Sequence, residues 1–266
     1  MWEKAGSVHA DHDYVRRKQI KPYGAKQLRA QLVIKIQGVD GAHHSSQYIQ
    51  PEGSKTFQTD GRISGCFAAV TAGVTPGSNV PLLICDGYAT ASTLHEATGR
   101  SVAAAMNAGN LLNVARAWRE KFPHLQIVIC ADDDIGTDGN PGMTKAVEAA
   151  RAVDARVAVP DFGQERPAGA SDFNDLHCLS GLDGVRRCID NATSPEAASP
   201  TKGTDIRMFP SAARPINDAS VDTSETDEQA IARLPFAPSV GAEGTEERGA
   251  NGEKEFEKHE VEGEVR

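Results

Sequence analysis

Residues 81–159 of this 266-residue chain predict an α/β fold built on a parallel sheet with helices on its faces. Three observations carry that expectation. Short apolar runs lie at 82–85 and 125–130, the stretches between such runs have helical spacing, and glycine or proline stands where a helix should stop. Strands and helices in strict alternation are joined most simply as parallel crossovers.

In order, the alternation reads as a strand at 82–85 and a helix over 87–98 closed by Gly99. A strand at 101–106 follows. A helix over 111–122 places Leu112, Ala115, Trp118 and Phe122 on one side and ends at Pro123. A strand at 125–130, a helix at 142–153, a strand at 156–159 and a last helix at 182–189 complete the set. Upstream, residues 30–70 read as short strands at 32–36, 47–50 and 55–57 and a strand-like piece over 62–70, with turns at Asp40-Gly41 and Pro51-Glu52-Gly53. Three regions result: a basic arm and β-rich lead-in over 1–78, the α/β domain over 79–190, and an acidic tail over 191–266. The tail is rich in Ser, Thr, Pro, Gly, Ala and Glu and too poor in apolar surface to offset its ordering entropy, so disorder is expected, apart from a candidate docking element at 230–240.

Charge narrows the function classes. With 28 Lys+Arg against 37 Asp+Glu the formal charge is −9, which argues against a generally basic nucleic-acid coat. Residues 191–266 hold 8 basic and 16 acidic residues, a net −8, leaving residues 1–190 at −1. Residues 1–35, in contrast, hold eight basic side chains against Glu3, Asp11 and Asp13. No run approaches the roughly 18 apolar residues that a membrane span needs, and the first residues lack the pattern of a secretory signal, so a soluble protein without a membrane partner is expected. The five cysteines form no C-x-x-C pair and suggest neither a disulfide framework nor a zinc site; Cys85 and Cys130, at the ends of apolar runs, read as buried thiols.

In open α/β sheets, ligands sit beyond the carboxyl ends of the strands. One strand here runs into Asp86-Gly87, and another runs through Ala131 into Asp132-Asp133-Asp134. On a parallel sheet these carboxylates share one edge and repel one another unless a cation is present. Oxygen ligands of this kind suit Mg²⁺ or Mn²⁺, which recruit water and phosphate oxygens as further ligands. Alternation of side-chain direction makes Asp132 and Asp134 the expected ligand pair, with Asp133 pointing away. Taken singly, each motif reads as a solvated helix cap; the metal reading rests on their coincidence on two strands of one sheet.

Other positions carry a functional reading beside a plain one. Gly87 lets the backbone turn after Asp86 and opens a helix N-terminus to phosphate. Lys145 either meets a phosphate or nucleotide or is a solvated helix lysine. Asp172, Asn174 and Asp175 either support the metal shell or form an Asx turn. Arg16, Arg17 and Lys18, with His9, His12 and Tyr14 nearby, either contact a nucleic-acid backbone or belong to a solvated arm. His95 and His124 have no Ser or Cys partner in view, and the absence of G-x-x-x-x-G-K-S/T excludes a P-loop engine.

At this point the sequence resembles the Toprim domain, the metal-dependent module of bacterial primases, topoisomerases and some nucleases. The marks are Ile84-Cys85-Asp86-Gly87 and Val128-Ile129-Cys130-Ala131-Asp132-Asp133-Asp134. Narrower detail is similar to the primases of plasmids, satellite phages and integrated elements: Gly87-Tyr88-Ala89-Thr90-Ala91, Asn107-Ala108-Gly109-Asn110-Leu111, Asp138-Gly139-Asn140-Pro141-Gly142 and Asp172-Phe173-Asn174-Asp175-Leu176-His177. Residues 47–57 are similar to the β-rich lead-in of that family, so the resemblance covers roughly residues 1–190. It implies a Toprim (Rossmann-like) parallel sheet for 79–190.

The resemblance further implies a Toprim-type DNA primase module that makes RNA primers from NTPs on single-stranded DNA, in the bacterial cytoplasm, during plasmid or phage-like element replication. Asp132, Asp134 and Asp86 would hold Mg²⁺ or Mn²⁺, with Asp86 as metal-linked acid/base. Gly87 and Lys145 would meet the nucleotide, and Arg16, Arg17 and Lys18 the template. There are two departures from the family pattern. Asp86 stands where glutamate is usual; one methylene less retracts the carboxylate by about 1–1.5 Å, and misplacement on that scale costs about 10²-fold in rate. The zinc ribbon and helicase of full-length relatives are not seen, so no zinc is expected and a separate helicase or template-binding subunit is an expected partner. Two alternatives stay open: a Toprim nuclease cleaving phosphodiesters, and a non-catalytic nucleic-acid-binding protein with a degenerate site.

Overall fold

Two sheets hold the strands of this computed structural model, which describes residues 1–71, 80–164, 166–196 and 198. The first sheet is antiparallel and follows chain order: β1 (Ala25–Leu28), β2 (Gln31–Gln37), β3 (His43–Ile49) and β4 (Lys55–Phe57). Alternation sorts β2, whose Leu32, Ile34 and Ile36 enter the core shared with the rest of the molecule, while Lys35 lies on the other face.

The second sheet contains β5 (Ala68–Val70), β6 (Leu82–Cys85), β7 (Val102–Ala104), β8 (Ile127–Cys130) and β9 (Arg156–Ala158) in the order β5-β7-β6-β8-β9. Strands β6 to β9 are parallel, as their alternation with helices predicts. β5 is not: it pairs antiparallel with β7, making the sheet mixed. The strand expected over 62–70 shortens to these three residues. A turn at Ile63–Cys66 and a two-way backbone pairing of Phe67 with Gln37, both bonds 2.9 Å, use the preceding residues to link the two sheets.

Five helices clothe the second sheet: α1 (Asp13–Lys18), α2 (Tyr88–Thr98), α3 (Leu111–Lys121), α4 (Pro141–Val153) and α5 (Phe173–Asp190). On one face Leu83, Cys85, Val128 and Cys130 meet α1, α2, α5 and the inner side of the antiparallel sheet. On the other face Leu82, Ile84, Ile127 and Ile129 meet α3 and α4. Strands buried on both faces explain the continuous apolar runs of the sequence. On α3 the buried set is Leu111, Val114, Ala115 and Trp118; Leu112 and Phe122, expected on that face, are only half-buried at its margin.

Two elements depart from expectation. The basic stretch 13–18 is not a solvated arm: it is α1, with Tyr14 and Val15 buried, and the His12 side chain accepts from Tyr14 N at 3.2 Å as its N-cap. α5 is two helical segments interrupted at Gly181, whose φ of 77° and ψ of 177° are open essentially to glycine alone. The second segment is the helix expected at 182–189. Among the described residues no helix is long and apolar enough to cross a membrane. The expected disordered tail lies outside the described residues beyond 198, as does 230–240; Thr193 exchanges backbone hydrogen bonds with Val157 on β9.

Candidate active site

The parallel pairing of β6 with β8 brings Leu82 beside Ile127 and Ile84 beside Ile129, so both strands end at one edge of the sheet. β6 hands its chain to Asp86; β8 continues through Ala131, whose N–H donates to Ala158 O at 2.9 Å, into Asp132. The carboxyl groups of Asp86 and Asp132 come together there, close enough for each to act on the other. Burial is the main reason that both acids are raised above the ordinary carboxylate range. The charge of each other's neighbourhood adds to it, with Asp172 raising both. Asp132 Oδ1 is sealed from solvent and has no hydrogen-bond partner.

Asp172 comes from the N-terminus of α5. Its Oδ1 accepts from Asp175 N at 2.7 Å and its Oδ2 from Thr90 Oγ1 at 3.3 Å, while Asp175 Oδ2 reaches back to the backbone N–H groups of Ser171 and Asp172, forming a capping box. Burial, then the Asp175 charge, raises Asp172 as well. Two lysines from the N-terminal region oppose this excess of acid. Lys55 on β4 lowers Asp86, and Lys18 on α1 lowers Asp172 and lies 3.7 Å from Asp175. Lysines from α1 and β4 thus offset acids from the ends of β6 and β8 and the start of α5.

The structure separates the members of the 132–134 triplet. Asp133 points away, as alternation predicts, into an ion pair with Arg166. Asp134 Oδ2 accepts from Gly142 N at 3.0 Å, at the N-terminus of α4. A Cβ at 142 would lie 2.6 Å from Asp132 O and 2.7 Å from Asp134 Oδ2, so only glycine lets α4 approach this closely. Asp134 still adds to the charge felt by Asp86 and Asp132, after Asp172. The acids brought together are thus Asp86, Asp132 and Asp172, with Asp134 on their flank.

The remaining expected positions are placed as follows. Gly87 is the N-cap of α2 with φ −114° and ψ 155°, an extended conformation any residue adopts, so no glycine-dependent turn is made there. Lys145 pairs with Glu148 at 2.8 Å on the exposed side of α4. Asn174 is buried and donates to Lys18 O at 2.7 Å and Thr93 Oγ1 at 3.0 Å, joining α1, α2 and α5. Arg16 and Arg17, with Asp13, Pro51 and Glu52, line an open cleft of about 510 Å³. Cys85 and Cys130 are free and buried, and burial raises both thiols, leaving them un-ionised. Sequence reasoning missed Lys55, Thr90 and Arg166. Thr90 alone carried a signal, one helical turn after Asp86-Gly87.

The donor set suits a hard divalent cation. All of its atoms are carboxylate oxygens, and one of them, Asp132 Oδ1, is orphaned. Among the described residues no three His, Cys, Asp or Glu side chains form a ready cage. Asp86 and Asp132, with Asp172 beside them, would hold the cation, and water or phosphate oxygens would fill the rest of the shell, as Mg²⁺ prefers.

Two forms of DNA primase TraC from Escherichia coli are similar to the chain: one is 44% identical over 127 residues, covering 46% of this chain and 12% of the relative. The other is 40% identical over 145 residues, covering 53% and 10%. The chain thus spans about a tenth of the length of these curated relatives. The solved primase fragment of the bacteriophage T7 primase-helicase protein superposes with a TM-score of 0.48 at 14% identity, over 71% of this chain and 76% of that one. The family model described as Toprim domain matches residues 81–183. Residues 81–183 of this chain are therefore a Toprim domain, in a chain similar to DNA primase TraC.

Proposed function

We propose that this chain is the catalytic portion of a DNA primase, joining ribonucleotides opposite single-stranded DNA. The observation that carries the proposal is the gathering of Asp86, Asp132 and Asp172, with the sealed, unpartnered Asp132 Oδ1, at the carboxyl edge of the sheet. When bound, Mg²⁺ or Mn²⁺ supplies electrostatic stabilisation of the attacking and leaving oxygens in phosphoryl transfer. Asp132 and Asp86 would hold it, and Asp172 and Asp134 would add negative charge around them. Asp86 would receive the proton from an attacking hydroxyl. Lys55 and Lys18 face the acids and balance the phosphates of nucleotide and template, and Arg16 and Arg17 extend that basic set outward along α1. The free N–H groups at the start of α2, beginning at Gly87, offer a further phosphate contact. Single-stranded DNA, NTPs and a separate helicase or template-binding subunit are the proposed partners, and the bacterial cytoplasm the proposed location.

Primer synthesis on single-stranded DNA, with labelled NTPs and Mg²⁺ or Mn²⁺, tests the proposal. Metal-dependent oligoribonucleotides are expected from the native chain and none from Asp132→Ala/Asp134→Ala. A shortened template instead of a lengthened product would identify a nuclease. DNA affinity without product, unchanged in the double variant and in Asp86→Glu, would identify a binding protein.

A further inference from the structure

The middle aspartate of the triplet does not face the acidic cluster, yet its surroundings are the most densely bonded in this part of the molecule. Arg166 Nη1 donates to Asp133 Oδ2 at 2.5 Å, and Nη2 donates to the Asp133 carbonyl oxygen. The same guanidinium donates from Nε and Nη2 to Ala170 O at 2.8 and 2.6 Å, and lies 4.6 Å from the centroid of the Phe162 ring. Asp133 Oδ1 accepts from Asn140 Nδ2 at 2.6 Å, and Asp133 N donates to Ser171 O at 2.8 Å. Both charged side chains of the pair are only 18% exposed. Every polar group of Asp133 except its sequence neighbours' share is thus committed, and none of it is free for a ligand.

The consequence is positional. Arg166, 33 residues downstream, binds the end of β8 to the segment that runs through Ser171 straight into Asp172. Asn140, which holds the other Asp133 oxygen, also accepts from Asp134 N at 2.8 Å and caps α4. Asp132, Asp134 and Asp172 are each adjacent in sequence to a residue bonded within this network. Like-charged carboxylates drift apart unless their backbones are fixed, and a planar fork bonded to two segments at once fixes them where a point charge would not.

We infer that Arg166, acting through Asp133, is a positioning residue for the cation site: it sets the spacing of Asp132 and Asp172 and keeps the Asp133 carboxylate out of the site. The inference rests on the reading that the acidic cluster holds a divalent cation. It concerns a residue that touches neither cation nor substrate.

Mn²⁺ titration of the full chain, followed through the spin-resonance signal of free Mn²⁺, tests it without recourse to activity. Removing Arg166 alone adds net negative charge beside the cluster, and that attraction for the cation would mask lost geometry. The decisive variant is therefore the charge-balanced Asp133→Asn/Arg166→Met, with Arg166→Lys as the conservative companion. The balanced variant is expected to bind Mn²⁺ about 10- to 100-fold more weakly, the usual effect of removing the support of a metal ligand. Arg166→Lys should fall between it and wild type. At saturating Mn²⁺ the turnover of primer synthesis should return to within about threefold of wild type, so that the loss lies in the Mn²⁺ concentration required and not in kcat. Equal affinity of wild type and a folded balanced variant overturns the inference and leaves the cation site standing. Should the balanced variant unfold, Arg166→Lys decides: unchanged affinity overturns the inference, and weakened affinity supports it. A wild-type chain that takes up no Mn²⁺ overturns the cation reading and this inference with it.

Discussion

Asn110 and Asp132, beyond the carboxyl ends of β7 and β8 on either side of β6, are treated in opposite ways. Asn110, beyond β7, is fully used: its Oδ1 accepts from Gly65 N at 3.0 Å, and its Nδ2 donates among the carbonyls of Ile63, Cys66 and Ala105 at 2.9 to 3.0 Å. Asp132, beyond β8, keeps one oxygen sealed and unpartnered in the neighbourhood of Asp86. The first arrangement stabilises the fold, because every buried donor and acceptor is matched. The second leaves a deficit that a cation would remove. Local polarity is the same in both places; satisfaction is what separates a structural polar cluster from a binding one.

The contrast can be broken most forcefully at Asn110. Asn110→Leu removes the side-chain partner of a backbone N–H and three carbonyls, of which Ile63 O keeps its bond from Cys66 N, so a loss of about 3–5 kcal/mol is expected in urea unfolding. Cation affinity of the fraction still folded should be unaltered. A loss below about 1 kcal/mol would show that water or backbone adjustment satisfies the hub, and the structural side of the comparison would fail.

Asp132→Asn should act in the other direction and by less. An asparagine amide can donate to Asp86 and removes one of the clustered carboxyl groups. The metal-free protein is therefore expected to gain about 1–2 kcal/mol, while the rise in Tm produced by Mg²⁺ or Mn²⁺ disappears. The pH dependence follows from the raised pKa of Asp132 in the folded state. A carboxyl that binds its proton more tightly when folded contributes stability that is complete below its unfolded pKa and is lost progressively as pH rises toward the folded one. Metal-free wild type should thus be less stable at about pH 8 than at about pH 5, with a shallower slope in Asp132→Asn. Equal slopes in the two proteins would mean that Asp132 is ionised and solvated in the folded chain.

What the sequence makes legible follows from how local each cause is. β6 and β8 are readable because strands covered on both faces need unbroken apolar runs, and Asp86 and Asp132 follow from where those strands end. α2 is readable from Gly99, which closes it in a left-handed conformation at φ 68°. β5 is not, since three residues of Ala-Ala-Val carry no period, and their antiparallel pairing is set by β7 across the sheet. α1 is hidden for a related reason: it has four charged residues out of six, and only docking against the shared core shows that Tyr14 and Val15 are inside. At the site, Asp172 was visible as part of an acidic motif but not as a charge acting on both Asp86 and Asp132. That depends on the path of residues 166–171, and so on an arginine whose partner is far away in sequence.

Lys145 offers the smallest and finest test, because residue type alone assigns it to the nucleotide and the structure gives it another partner. It lies on α4 with Glu148 at 2.8 Å, and each side chain is 48% exposed. A pair this open to solvent contributes little, so Lys145→Ala should change stability by less than about 0.5 kcal/mol. It should also leave the KM for NTPs within about twofold of wild type, since a side chain satisfied on an open helix face loses only weak, screened attraction for a phosphate. A tenfold rise in that KM, with kcat and cation affinity unchanged, would mean that Lys145 leaves Glu148 for the nucleotide. The satisfied and unsatisfied groups of the resting protein would then be an incomplete guide to which side chains meet substrate. Lys55 and Lys18, which face the acids directly, would have to share the phosphate with a residue from α4.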